Sequence, residues 1–117
     1  MDTGKLFESL IDNISDVLAI LDSDGITRFK SRNVRQIFGW DPDELVGRSG
    51  FELIHPDDRN VVLRRFADLT DSPGARSEGE CRYQHRDGSY RWVNVSAVNR
   101  TDDPVINGIL VRYYDIS

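Results

Sequence analysis

Cysteine is almost missing from the 117 residues: Cys81 stands alone, which excludes an internal disulfide and any metal site built from cysteines. A reducing, cytoplasmic setting is compatible with the single thiol and is the expectation. Histidine is nearly as scarce, with only His55 and His85. The apolar runs are far shorter than the roughly 20 residues of a membrane-spanning helix, and no signal peptide is expected at the start. A basic surplus is also lacking. Lys and Arg number 15 against 20 Asp and Glu, a formal charge of −5, and they are scattered along the chain. A nucleic-acid surface needs a concentrated basic face to neutralise phosphates, so that class of partner is set aside. No internal repeat or low-complexity tract interrupts the chain.

What remains suits one globular domain with one hydrophobic core: 38% of residues are hydrophobic and 30% charged, within the ordinary range for such folds. The most informative stretch is 80 to 99. Two alternating runs flank Arg86-Asp87-Gly88-Ser89, and Asp-Gly between such runs is a strong hairpin signal because glycine tolerates positive φ. In the second run Val93, Val95 and Ala97 share one face, while Trp92, Asn94, Ser96 and Val98 share the other. Neither face is purely polar, so both sides of this strand are expected to touch something.

Elsewhere, Leu6, Phe7, Leu10, Ile11 and Ile14 recur at helical spacing and predict a short amphipathic helix in residues 1–15, flanking a domain of residues 16–117. Its apolar stripe packs on the domain's own sheet or on a second copy. The run Val17-Leu18-Ala19-Ile20-Leu21 predicts a strand buried on both faces, and Asp22-Ser23-Asp24-Gly25 a turn into a second strand at 26–30. Short helices are predicted near 31–38, over 41–47 behind an Asp cap and a first-turn proline, and over 51–54. His55-Pro56-Asp57-Asp58 opens a longer helix, with both acids at the positive end of its dipole and Val62, Phe66 and Leu69, with Val61 and Leu63 alongside, on its apolar face. A last strand follows at 106–114. The order predicts an α+β domain, a five-stranded antiparallel sheet with short helices and one longer helix packed over one face. A small ligand would sit between helices and sheet.

Four segments together resemble the PAS domains, sensory modules of bacterial-type and other signalling proteins: Phe38-Gly39-Trp40 with Pro42-Asp43-Glu44-Leu45-Val46-Gly47, Ile54-His55-Pro56-Asp57-Asp58-Arg59, Arg86-Asp87-Gly88-Ser89-Tyr90-Arg91-Trp92-Val93, and the closing Asp115-Ile116-Ser117. The resemblance runs from about residue 6 to the end. It implies a cavity on the inner sheet face, with Val93, Val95 and Ala97 facing it, Cys81 and Tyr83 beside them, and Ile109, Val111 and Tyr113 from the last strand. Phe29, Ile37 and Phe66 complete the candidate lining. It also implies an outer face offered to flanking helices or a second subunit, with Leu6, Leu10, Ile14 and Trp92 as the candidate interface of a homodimer. Asp115 would pass a signal to an effector, such as a histidine kinase or a cyclic-dinucleotide enzyme, in a longer protein.

The resemblance leaves the cofactor unknown but argues against two. Where photoactive flavin relatives carry an asparagine-cysteine pair, this chain has Ser49 and Gly50, and Val93 cannot hydrogen-bond a flavin ring. Haem-binding relatives place a histidine near the position of Leu63, which neither histidine occupies; His55, beside Pro56, is expected to cap the helix. No catalytic or metal-binding residues are expected. Asp57 and Asp58 are adjacent and diverge on a helix, and no nucleophile-base spacing appears. Two readings of function follow: a sensory input domain that binds a small molecule, and a filled-core module that dimerises and aligns effectors.

Overall fold

The computed structural model describes residues 2–117. Asp2 opens α1 (Thr3–Asp12), its carboxylate accepting from the amides of Gly4 and Lys5. The helix stops at Asn13, so Ile14 lies beyond it rather than within it. Then come β1 (Val17–Leu21), β2 (Thr27–Lys30), α2 (Val34–Phe38), α3 (Pro42–Leu45), α4 (Pro56–Thr70), β3 (Arg76–Gln84), β4 (Tyr90–Arg100) and β5 (Gly108–Asp115). The strands form one five-stranded sheet in the order β2-β1-β5-β4-β3, antiparallel throughout. The predicted α+β class is therefore the observed one.

Local chemistry fixes the helix starts. Asp41 accepts from the Asp43 amide while Glu44 reaches back to the Asp41 amide, a reciprocal cap with Pro42 at the first helical position. The Nδ1 of His55 accepts from the Asp57 amide at the start of α4, the capping role its position beside Pro56 suggests. Asp58 does more than complement the dipole. It takes two bonds from the Arg82 guanidinium, at 2.7 and 3.0 Å, and a third from the Arg82 amide. That ion pair holds α4 to β3, and Arg82 keeps the Asp58 carboxyl below the usual carboxylate range. Between β3 and β4, Gly88 adopts φ 92°, the left-handed backbone the tight turn requires.

Two elements differ from expectation. Residues 51–54 form turns rather than a helix. Ile54 bridges to Tyr83, and the Gln84 amide donates to the Leu53 carbonyl, so this segment satisfies backbone groups on the edge strand β3. β3 itself begins at Arg76, because Arg76 to Gly79 pair with Val98 to Val95 despite their polar sequence. In β1 only Val17, Ala19 and Leu21 are buried; Leu18 and Ile20 face the other side and stay half-buried.

The core lies on the inner sheet face, where Val17, Phe38, Val93 and Ile109 are fully buried. α4 covers this face through Leu69, Phe66 and Val62, while Val61 and Leu63 turn to solvent. Cross-strand pairs put Leu18, Ile20, Leu110, Val98, Tyr114 and Trp92 on the opposite, outer face. α1 is fastened mainly by Ile11, its one buried side chain, and by Arg32, which pairs with both Glu8 and Asp12.

Candidate functional site

Between α4 and the inner face lies a cavity of about 90 Å³. β1 contributes Ala19 and Leu21, the loop before α4 Phe51 and Ile54, and α4 Val62, Phe66 and Leu69; the far wall is Cys81, Tyr83, Val95, Ala97, Val111 and Tyr113. Strand alternation explains the choice. On β4 and β5, Val95 pairs with Tyr113 and Ala97 with Val111, so all four point to the same side. At one end the rings of Phe38, Tyr83 and Tyr113 cluster, with centroids 4.9 to 5.5 Å apart.

The most buried charge on the wall of this largely apolar chamber is Lys30, only 8% exposed. Its Nζ donates to the Tyr113 hydroxyl at 3.0 Å, and Tyr113 donates to the Tyr83 hydroxyl at 3.3 Å. Nζ also sits 4.8 Å from the Tyr113 ring centroid, within cation–π range. Burial with no carboxylate to offset it pulls the Lys30 amine down to about 7. The same burial pushes the Tyr83 phenol up to about 12, Tyr113 well above its ordinary value, and the Cys81 thiol up to about 11. Cys81 is thus a neutral, buried filler at physiological pH.

Of the eleven residues expected to line the cavity, seven come together there: Phe66, Cys81, Tyr83, Val95, Ala97, Val111 and Tyr113. Four do not, among them Ile109, which is fully buried in the core. Phe29 is 38% exposed on the outer face, because a bulge shifts the register. Leu21 pairs with Thr27 but Ile20 pairs with Phe29, leaving Arg28 as the extra residue. Ile37 packs half-buried against the core outside the lining, and its neighbour Phe38 takes the inward position. Val93 faces inward but is wholly enclosed in packed core, two residues along β4 from the open space. The bulge that expels Phe29 brings in Lys30, which no alternating pattern reveals. Phe51, Leu69, Arg65 and Gly79 also line the cavity, and no local pattern marks them as wall residues. A Cβ at Gly79 would stand 1.9 Å from an Arg65 guanidinium nitrogen, so a larger residue there would displace that flexible side chain from the wall.

Leu6, Leu10, Ile14 and Trp92 are all exposed, Leu10 by 56% and Trp92 by 45%. Arg82 lies over the Trp92 ring, 5.1 Å from its centroid. Asp115 ends β5, accepts from the Ser117 amide at 2.7 Å and has the Arg91 guanidinium 3.8 Å away. Among the described residues no group of three or more His, Cys, Asp or Glu gathers to hold a metal, and no helix is long and apolar enough to cross a membrane.

Sheet, helical cover and the cavity between them together define an α+β domain with one sheet face on a helix. The sequence matches the family described as PAS fold over residues 28–108. It is 25% identical over 103 residues, 86% of the chain, to the sensor histidine kinase TmoS of Ectopseudomonas mendocina. It is 39% identical over 59 residues, 50% of the chain, to neuronal PAS domain-containing protein 4-like of Danio rerio. The chain spans only 11% and 9% of the lengths of these two proteins. The crystal structure of the PAS domain of an HTR-like protein from Haloarcula marismortui superposes with a TM-score of 0.81 at 26% identity, covering 98% of each chain. This chain belongs to the PAS-fold family, and it is a sensory domain of that family.

Proposed function

We propose that this domain is the input piece of a cytoplasmic signalling protein, binding a small molecule between α4 and the sheet and relaying its presence through β5 to an effector such as a histidine kinase. The observation that carries the reading is the cavity itself. It is partly open, largely apolar, and walled on one side by the strand that ends at Asp115. A ligand against Val111 and Tyr113 lies within a few residues of the junction where the effector would follow. Relay also requires the ligand to prefer one of two arrangements of β5. The kinase relative supports the choice of effector.

A second role is favoured by a separate observation. Leu6, Phe7 and Leu10 of α1 form an exposed apolar stripe, which fits a homodimer that aligns two effectors. The roles are compatible, and the chain need not be an enzyme for either. Native mass spectrometry of the purified protein, compared with its denatured mass, tests the ligand reading. A stoichiometric small-molecule adduct supports it, whereas a bare dimer that takes up nothing from a metabolite extract contradicts it.

A further inference from the structure

The polar groups of the cavity are unbalanced in a way that specifies a ligand. A lysine ammonium carries three donors and no acceptor; Lys30 spends one on Tyr113. With Tyr113 donating onward to Tyr83, the Tyr83 hydroxyl hydrogen is left to donate as well. The chain Lys30–Tyr113–Tyr83 therefore ends in donors on both sides, in a chamber otherwise walled by Val95, Val111, Phe66 and Leu69. Unpartnered buried donors are costly, and an unpaired buried ammonium more so. A ligand that relieves both brings acceptors, no donors, a negative charge and a small apolar body.

We propose that the cavity takes a small monocarboxylate, its carboxylate oxygens held by Lys30 and Tyr83 and its hydrocarbon body against Val95, Val111 and Phe66. This inference rests on the ligand-binding reading and narrows it. The volume sets the scale. A benzene-sized body fills an apolar cavity of roughly 150 Å³, and this one measures about 90 Å³, which fits a chain of two to four carbons (about a propionate, on that scale). Two other charges of opposite sign stand at the wall, Arg65 of α4 and the exposed Glu80 of β3, while Lys30 is the charge buried beside the tyrosine hydroxyls. Tyr83, Tyr113 and Cys81 face the cavity from β3 and β5, and burial keeps all three protonated at neutral pH. Lys30 alone among these groups changes charge near pH 7, so carboxylate binding draws a proton onto it and weakens as the pH rises from 7 towards 9.

Calorimetry with propionate and its neutral isostere propionamide tests this, on wild type, Lys30→Met and Tyr83→Phe. Propionate should bind at least tenfold more tightly than propionamide, with proton uptake at pH 8. Lys30→Met should abolish the preference, and Tyr83→Phe, which keeps the ammonium, should reduce it. Equal binding of acid and amide overturns the carboxylate assignment while leaving a small-molecule sensor intact. Propionate binding that survives in Lys30→Met overturns the role of the lysine. No binding of either compound also overturns the inference, and the native mass measurement then decides separately whether any ligand is held.

Discussion

Lys30 carries a stability cost that depends on pH. An ordinary lysine holds its proton to about 10.5, but this amine loses it near 7 in the folded chain. Between those values the unfolded chain binds more protons, so stability should rise with pH across that window, by at most about 1.4 kcal/mol per unit for one proton. The window closes near pH 9. There the unfolded chain starts to lose the Cys81 proton, which the folded chain keeps to about 11, so the two effects offset and the rise levels off. Urea unfolding of wild type and Lys30→Met between about pH 7 and 9 checks this. The variant should be the more stable at pH 7, and the gap should narrow with rising pH; a constant gap contradicts the buried-charge account. At the residue scale the sequence pattern and the structure diverge most at β2. Alternation at 26–30 points Phe29 inward, and one bulged residue, Arg28, reverses the parity and admits Lys30. The bulge is fastened by tertiary bonds: Arg28 donates to the carbonyls of Ile106 and Asn107, almost eighty residues away. No local pattern encodes that contact. By contrast Cys81, Tyr83, Val95, Val111 and Tyr113 sit on regular strands, where period-two alternation keeps them on one face, the face that the resemblance turns inward.

At the scale of elements, legibility follows how much of each signal is local. The hairpin around Asp87-Gly88 and helix α4 behind His55-Pro56 form as read, because a left-handed glycine and an N-terminal proline act over a few residues. The first half of β3 carries no strand pattern. It exists because β4 extends far enough to pair with it. Residues 51–54 have the apolar spacing of a helical turn, yet covering the edge of β3 wins over local propensity. α1 is a different case. Its amphipathic pattern is plain, but within the monomer the stripe remains largely uncovered and only Ile11 is buried. Since Phe7 and Leu10 are exposed, replacing both with Asp should leave the monomer's melting temperature within a few degrees of wild type, as for surface substitutions of within about 0.5 kcal/mol each. Sedimentation velocity should then show a dimer of the wild type reduced to monomer. A variant that stays dimeric places the contact elsewhere, on the outer face around Trp92 for instance.

Across the whole molecule, the sheet order puts β5 in the middle, hydrogen-bonded to β1 on one side and β4 on the other. Its inner side chains Val111 and Tyr113 wall the cavity, and two residues later Asp115 leaves the sheet beside Arg91. Cavity wall and Asp115 therefore share one strand, which is the physical basis for the proposed role of β5. The outer face and α1 offer the surface on which a second copy would register a shift of that strand. The amide spectrum of nitrogen-15-labelled protein, titrated with the small molecule that most raises its melting temperature, tests this most directly. The account predicts shift changes at Lys30, Tyr83, Val95 and Tyr113 that continue along β5 to Asp115 and Ile116. Changes confined to surface residues, or changes in the cavity that stop short of Asp115, would contradict it.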